Sequence, residues 1–351
     1  SSRSSYSGIG ILKTDSSGSN WVNVGLIDSH HIGKIIINPN NKDHVVVGVT
    51  GHLYSKNENR GVYITKDGGG SWKKTLYVND ITGIIDMASA PNSFNIIYAS
   101  TWEKDRKAWN LDEDGKSSAI YKSLDGGETW NKISEENSGF PVGEGVGRIG
   151  IAVYDENIAY AVLDNQYRRE LKTQNENESL TKESFKDISV DDFKKIKSED
   201  LNRFLRSNRF PRKYNAESVN SDINSGKIEP NDLYNYLVNA NSDLFDTPVI
   251  GAEVYKSIDG GQTWKKTHET YLEGLYYSYG YYFGKIHVDP NNSDKIYTYG
   301  VPLITSDDGG KTFYSIGKEN VHADHHDLWI NPNKPGHLIN GNDGGVNITY
   351  D

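Results

Sequence analysis

The chain has 351 residues, a formal net charge of −10 and no cysteine. Because it is acidic and has no basic stripe, we expect no nucleic-acid partner. The lack of cysteine excludes disulfides, thiolate metal ligands and cysteine nucleophiles. No apolar run approaches the roughly 18 residues of a membrane-spanning helix, so no transmembrane segment is predicted in this chain. Its 35 glycines and 23 tyrosines favour short strands joined by tight turns.

One octapeptide pattern, Ser/Thr-x-Asp-x-Gly-x-Ser/Thr-aromatic, recurs at residues 65–72, 123–130, 257–264 and 306–313. A degenerate copy at 14–21 has Ser16 in place of the aspartate. In a hairpin, the hydroxyl and carboxylate can bond the turn backbone, glycine can adopt φ > 0, and the aromatic ring can fold back as a plug. Structural roles are therefore predicted for Asp67, Trp72, Asp125, Trp130, Asp259, Trp264, Asp308 and Phe313.

A second turn, Pro-Asn, recurs between pairs of apolar runs, for example at 39–40 and 290–291. Each unit then has four antiparallel strands in about 50 residues, the pattern of a β-propeller blade. We predict an all-β propeller of about five four-stranded blades, a truncated further blade and a helical insertion. Residues 349–351 match the start of another octapeptide, so further blades are expected from sequence outside this chain or from another fragment of the protein.

The composition becomes helical at residues 164–247, which divides the prediction into blades at 1–163, the insertion, and continued blades at 248–351. We expect this insertion between the second and third strands of one blade, as a cap over one face. A packing subdomain is favoured over a lid or docking element. The residues predicted to face inward are Phe185, Ile188, Phe193, Ile196, Leu201, Phe204, Leu205, Leu233, Tyr236 and Leu237.

The octapeptides and Pro-Asn turns should share one face of the ring, and the opposite face, here called the loop face, collects unusual side chains. Histidine, tryptophan and tyrosine there could clasp a peptide, a protein or a glycan, although aromatic rings also fill gaps between blades. The predicted ligand-binding residues are His31, His52, Trp102, Arg106, Tyr277, Tyr281 and His325; Trp109 belongs to the same group.

The densest cluster runs from His322 to Asp327. On a strand, His322, Asp324 and His326 would point to one side and could ligate a divalent metal, the one cofactor considered. A hydrogen-bonded ring of polar residues at the channel mouth is the favoured alternative. Asp324 and Asp343 are the candidate catalytic carboxylates.

First strands line a propeller channel, and their charged residues fall in equivalent places. We predict an alternating collar of Lys34, Asp86, Arg148, Lys285 and Asp327. Because opposite charges neutralise one another, a structural role is favoured over substrate or ion binding.

The octapeptides, together with SHHIG at 29–33, GHL at 51–53, TPVIG at 247–251, VHADHH at 321–326 and GNDGG at 341–345, resemble the bacterial sortilin-like BNR or Asp-box repeat propellers, often labelled glycosyl hydrolases. The resemblance covers nearly the whole chain. It implies a secreted, periplasmic or cell-surface protein and, as in sortilin, a channel that binds peptides and proteins. It implies no reaction.

Two related enzyme classes can be compared with these residues. Sialidases use an arginine triad; outside the insertion and the N-terminal loop this chain has Arg60, Arg106 and Arg148, and it lacks an Arg-Ile-Pro motif, which argues against that activity. Xyloglucan-cleaving enzymes use two carboxylates, of which Asp324 or Asp343 could supply one. The leading hypothesis is a binding propeller. The alternatives are a glycoside hydrolase or metal-assisted hydrolase, and a scaffold of a surface complex.

Overall fold

The computed structural model describes residues 6–107, 110–169, 180–208, 210–211, 213–237, 249–276 and 279–350. Contacts divide the chain into two compact units, residues 1–169 with 247–351, and residues 170–246. The first unit is made of β-sheets and the second of short helices.

Four antiparallel sheets of four strands, blades 1 to 4, form most of the described first unit. Blade 1 comprises β3 (Ile32–Asn38), β4 (Asn41–Val49), β5 (Gly61–Thr65) and β6 (Lys73–Leu76). Blade 2 comprises β7 (Thr82–Ala90), β8 (Ser93–Glu103), β11 (Ala119–Ser123) and β12 (Asn131–Lys132). A small hairpin of β9 (Asp105–Arg106) and β10 (Leu111–Asp112) lies in the loop between β8 and β11.

Blade 3 comprises β13 (Val146–Val153), β14 (Ala159–Arg168), β15 (Val249–Ser257) and β16 (Lys265–Lys266). Blade 4 comprises β17 (Lys285–Asp289), β18 (Asn292–Tyr299), β19 (Leu303–Ser306) and β20 (Tyr314–Ser315). A hairpin of β1 (Leu12–Lys13) and β2 (Val22–Asn23) precedes the blades, and a sheet of β21 (His325–Ile330), β22 (His337–Asn342) and β23 (Gly345–Tyr350) follows them.

The first strands of successive blades, β3, β7, β13, β17 and β21, lie against one another. Each blade therefore presents its first strand to the centre and its later strands outward, which is the arrangement of a β-propeller. The predicted fold class is confirmed, and the helical segment does fall between the second and third strands of one blade, β14 and β15.

The octapeptide turns have the predicted internal bonds. In blade 2, Ser123 Oγ donates to Asp125 Oδ1 at 2.7 Å, and Asp125 accepts from the Thr129 amide at 2.9 Å and the Thr129 hydroxyl at 2.5 Å. Gly126 and Gly127 have φ of 72° and 95°, conformations that glycine adopts without strain. The copies at 65–72, 257–264 and 306–313 repeat these bonds. In the degenerate copy, Ser16 Oγ accepts from the Asn20 amide at 3.0 Å.

Each octapeptide also bonds the backbone of its own blade at the start of the second strand or just before it. The Gly126 amide donates to Asn95 O at 3.0 Å, and the equivalent bonds in the other blades join Gly68 to Asp43, Gly260 to Asn157 and Gly309 to Asp294. Octapeptides and first turns therefore share one face, as predicted. The aromatic residue packs on the preceding blade: Trp264 is buried with Tyr98 and Phe140.

The helical unit has its own core. It contains a 3-10 helix (Lys182–Phe185), α1 (Val190–Phe193), α2 (Ser198–Ser207), α3 (Ala216–Asn224) and α4 (Asn231–Leu237). Nine of the inward predictions lie in or against this core, but Tyr236 was wrong, since its side chain is 56% exposed and stacks on Phe210. Among the described residues, no helix is long and apolar enough to cross a bilayer.

We predict that Asp125→Ala lowers the free energy of unfolding by about 1–3 kcal/mol at neutral pH, because three hydrogen bonds to a carboxylate are lost. Burial works against ionisation of Asp125, but the bonds from Thr129 and Ser123 prevail and lower its pKa to about 2. The wild-type advantage should therefore be complete above pH 4 and disappear as the pH falls towards 2. Urea unfolding checks this, with exposed Glu136→Ala as control. An advantage that persists unchanged at pH 2 would contradict the role of the carboxylate.

Candidate functional site

Ionisable side chains from three blades meet where loop-face connections approach the first strands. We call this set the inner cluster: Lys104, Arg106, Glu113, Arg148, Asp164 and Tyr276. They come from the β8–β11 loop, the start of β13, the end of β14 and the connection that precedes β17. Their charges act on one another's pKa values, so they share one electrostatic environment.

The loop that carries Glu113 is anchored on both sides. Trp102 Nε1 donates to the Glu113 carbonyl at 2.7 Å, within blade 2. Asp114 Oδ2 accepts from the Gly145 amide at 2.7 Å, and the Gly115 amide donates to Val146 O at 3.1 Å, towards blade 3. Glu113 is thus fixed in the seam between two blades.

Asp164 lies near the end of β14 and is only 1% exposed. Gln166 Nε2 donates to its Oδ2 at 2.7 Å. A Cβ on Gly280 would lie 2.0 Å from the Asp164 carboxyl carbon, so only glycine allows this approach. Asp164 is therefore packed tightly against the connection that leads into blade 4.

Arg148 lies where the pairing register of β13 with β14 shifts, between Val146 and Ile149. Its Nη1 donates to the carbonyls of Tyr281 at 3.1 Å and Tyr282 at 2.9 Å. Arg148 thus ties blade 3 to the tyrosine-rich connection before β17. Register irregularities of this kind re-aim side chains beside functional sites.

Several polar atoms of the inner cluster are buried without a hydrogen bond among the described residues: Glu113 Oε2, Arg148 Nε and Tyr276 Oη. Thr298 lies close to the Tyr276 hydroxyl, but the two groups are outside hydrogen-bonding geometry, and Thr298 Oγ1 donates instead to Lys285 O. Buried polar groups in native proteins are nearly always bonded to protein, water or ligand. The cluster is therefore incompletely satisfied by its own protein groups.

The two carboxyl groups have raised pKa values. Burial, then the negative charges of Asp164 and Asp114, raise the pKa of Glu113 to about 8, against the opposing charge of Arg106. Burial raises the pKa of Asp164 to about 6, although the Gln166 bond opposes it. Near neutral pH, Glu113 is therefore protonated while Asp164 is largely ionised.

An exposed group of side chains lies beside Arg148. We call it the aromatic patch: Tyr281, Tyr282, His326 and Asp343. The Tyr282 and His326 rings meet edge to face at 5.6 Å, and His326 Nε2 bonds Asp343 Oδ1 at 2.6 Å. Tyr281 contacts Tyr282 ring to ring at 6.5 Å. Since Tyr282 is 38% exposed, these rings offer an accessible surface directly next to the inner cluster.

Two predicted ligand-binding residues are corrected. Trp102 is 5% exposed, because β8 extends to Glu103 and buries the ring, so it offers no stacking surface. His325 is 3% exposed, and its Nδ1 bonds Asn340 Oδ1 at 2.6 Å between β21 and β22. Both side chains are structural in this fold.

The other predicted ligand-binding residues are divided between two places. Tyr281 and Arg106 belong to the aromatic patch and the inner cluster. His52 stacks on His30 at 3.6 Å, and both its ring nitrogens are bonded, to Ser55 Oγ and Asp28 O. His31 Nδ1 bonds Gly51 O at 2.9 Å, while its Nε2 is buried without a partner among the described residues. Tyr277 and Trp109 lie outside the described residues.

The predicted metal site of His322, Asp324 and His326 was wrong. β21 begins at His325, and Asp324 has φ of 62°, which breaks the strand alternation that would align the three side chains. His322 bonds its neighbour Ala323 O, while His326 bonds Asp343. No group of three metal-ligating side chains occurs in the part of the chain that the structure describes.

The two candidate catalytic carboxylates, Asp324 and Asp343, are close through the backbone, since the Asp343 amide donates to Asp324 O at 3.2 Å. The side chain of Asp343 is engaged by His326. Asp343 therefore belongs to the aromatic patch because its carboxylate orients the imidazole of His326.

The collar occurs as two ion pairs and a separate arginine. Lys34 lies 4.0 Å from Asp86, and Lys285 lies 3.6 Å from Asp327. Arg148 has no carboxylate within 4.0 Å among the described residues and bonds carbonyls instead. The predicted alternation therefore holds for four of the five charges.

The sequence prediction gave no site role to Lys104 and Tyr276, which lie in loop-face segments, and it missed Glu113 and Asp164. Asp164 had a usable signal, since it ends the apolar run AVL at 161–163 in a buried strand. Glu113 had none, because it lies in an acidic loop sequence, DEDG at 112–115, typical of a solvated turn.

The fold and site together define a β-propeller with a charged cluster at its loop face. No family model and no curated protein matches the chain. Among solved structures, it is similar to the GH74 enzyme of Niastella koreensis, with 14% identity, a TM-score of 0.45, and coverage of 97% of this chain and 39% of that one. The GH74 xyloglucanase of Xanthomonas campestris has 14% identity and a TM-score of 0.45, with 95% and 39% covered.

A third similar structure, YCF48 bound to D1 peptide, has 13% identity and a TM-score of 0.34, with 97% of this chain and 88% of that one covered. The chain spans about two fifths of the length of the two GH74 structures, 39% of each.

We predict that Glu113→Gln makes the protein less sensitive to rising pH. The usual glutamate pKa of 4.5 is raised to about 8 in the folded protein. Between these values the folded state holds a proton that the unfolded state has released, so stability falls as pH rises. The variant should match the wild type near pH 4.5 and exceed it by about 1–3 kcal/mol at pH 8. Urea unfolding at both pH values measures this.

The control for this comparison is Glu144→Gln, which changes an exposed carboxylate paired with Lys116. It should leave the pH dependence as in the wild type. If Glu113→Gln shifts stability equally at pH 4.5 and pH 8, Glu113 is not held protonated.

Proposed function

We propose that this chain belongs to an extracytoplasmic, sortilin-like propeller that binds a peptide, protein or glycan at its loop face. The observation that carries the proposal is the aromatic patch, with its exposed rings, immediately beside an inner cluster in which three buried polar atoms have no hydrogen-bond partner among the described residues. A ligand bound there would contact the exposed rings and could also bond the polar atoms of the inner cluster.

The aromatic patch supplies the contact surface. Tyrosine and histidine rings bind the apolar faces of sugars or of peptide side chains while their polar tips remain hydrated. The bond between His326 and Asp343 holds the imidazole in place, and the contact with Tyr282 fixes one edge of the surface. Less conformational freedom is then lost on binding, which favours affinity.

The inner cluster supplies orientation. Arg148 holds the backbone beneath Tyr281 and Tyr282, so its charge lies under the patch. Polar groups without partners favour a ligand that bonds them over one that leaves them unpaired. Discrimination between similar ligands is therefore expected from this cluster, and contact area from the patch.

We predict that Tyr282→Ala weakens ligand binding at least tenfold, about 1.4 kcal/mol, because an exposed contact ring is removed. Ligands are first identified with glycan arrays and peptide libraries, and affinity is then measured by calorimetry. The control is Tyr314→Ala, since Tyr314 is 49% exposed but lies on β20, next to an octapeptide turn. Equal losses for both variants, or no ligand in either library, would contradict the proposal.

A hydrolase is the second candidate, and one observation favours it. Near neutral pH, Glu113 carries a proton while the neighbouring Asp164 is largely ionised, as a general acid and a general base require. Glycoside hydrolysis uses two carboxyl groups in these two states.

If the cluster is catalytic, the rate should rise as Asp164 ionises near pH 6 and fall as Glu113 loses its proton near pH 8. We expect Glu113→Gln and Asp164→Asn each to reduce hydrolysis of an oligosaccharide panel about 100-fold. Glu144→Gln, which changes an exposed carboxylate paired with Lys116, serves as the control outside the pair. Hydrolysis that persists in both pair variants, or a flat pH profile from 5 to 9, would remove this candidate.

A further inference from the structure

Lys104 is a buried lysine without a counter-charge. The residue is 4% exposed, and among the described residues its Nζ makes neither an ion pair nor a hydrogen bond. Its Nζ lies over the face of Trp102, 5.2 Å from the ring centroid. Its side chain is therefore almost wholly buried.

Within the part of the chain that the structure describes, the charged groups that act on Lys104 are cations. Burial, then the charges of Arg60, Arg106 and Arg148, lower the pKa of Lys104 to about 7. A buried ammonium that faces other cations is unfavourable unless an anion joins it. Carboxylates act on the arginines and on Glu113, but none acts detectably on Lys104.

Neighbouring polar atoms add a second, independent observation. Among the described residues, His31 Nε2 and Arg60 Nε are buried without a hydrogen-bond partner, as are both side-chain polar atoms of Asn57. Burial lowers the pKa of His31 against the opposing bond to Gly51, and the Lys104 charge lowers it further, so the two side chains are close enough to interact. Arg60 uses its terminal nitrogens on the carbonyls of Thr50, His52 and Ser55 and is therefore rigidly held.

We propose that Lys104 is the anion-binding residue of the loop face, and that the ligand presents a carboxylate or sulfate group to its Nζ. This rests on the proposed binding function and narrows it to acidic ligands. The bound anion replaces the missing counter-charge, so Lys104 takes up a proton when the ligand binds near pH 8.

The test is competitive acylation of the intact chain with acetic anhydride, read lysine by lysine by mass spectrometry between pH 6 and 10. The probes are glucuronate, N-acetylglycine and sulfate, each at saturating concentration, with glucose and N-acetylglycine amide as neutral counterparts of the two carboxylates. The three anions distinguish a sugar acid, a peptide carboxylate and an inorganic ion.

We expect at least one acidic probe to slow acylation of Lys104 about tenfold at pH 8 and to move its midpoint to higher pH, because the ammonium form does not acylate. Lys116, exposed and paired with Glu144 in the same loop region, is the internal control and should react equally with and without probe. Equal protection by an acid and its neutral counterpart, or no protection of Lys104, would overturn the proposal.

The variant Lys104→Met separates binding from folding. It replaces an unpaired buried charge with an apolar chain of similar size, so stability should be unchanged or higher. Affinity for the protective anion should fall at least tenfold. If ligands found on the arrays bind Lys104→Met as tightly as wild type, the anion role fails while the binding function stands. If Lys104 is protected but no array ligand is found, the anion site stands and the broader function fails.

Discussion

The architecture depends on one backbone hydrogen bond, from the first glycine of each octapeptide to the start of the second strand or the residues just before it. It joins Gly126 to Asn95 in blade 2 and is repeated in the three other complete blades. Because it ties the outer hairpin to the inner hairpin at one end of the sheet, all four strands end together on that face. The opposite end carries no equivalent constraint, so its loops can differ in length and bear functional side chains.

What could be predicted from sequence follows from the range of the interactions involved. The octapeptide turn is made by residues within eight positions of one another, so Ser123, Asp125 and Gly127 predict their own bonds. The collar was accessible in part, because aligning first strands places Lys34 beside Asp86. The site was not accessible, since Glu113 and Asp164 are brought together only by blade packing. The metal-site prediction at Asp324 was wrong for a local reason. The positive φ of Asp324 cannot be read from a sequence that otherwise alternates like a strand.

The division of charges at the centre explains the unusual carboxyl groups. The pairing register is irregular beside the collar residues of β3, β7, β13 and β21. Lys34 pairs with the carboxylate of Asp86, and Asp327 pairs with the ammonium of Lys285. Arg148 instead donates hydrogen bonds from its guanidinium to two carbonyls of the connection before β17. Asp164 has no ion pair among the described residues, and its charge adds to burial, the main cause, in raising the pKa of Glu113. Because the guanidinium of Arg148 bonds the tyrosine connection, it forms no ion pair with the carboxyl groups of Glu113 or Asp164 among the described residues.

The inner cluster keeps its net charge low through the protonation states of its residues. Glu113 retains a proton, and Lys104 is close to losing one at neutral pH, because burial disfavours the charged form of each. A ligand with an anionic group favours protonation of Lys104, and a ligand with a cationic group favours ionisation of Glu113. A ligand that carries both groups would cause proton uptake at Lys104 and proton release at Glu113. Its binding would then depend weakly on pH, whereas a singly charged ligand would bind with a marked pH dependence whose sign reveals which residue it meets.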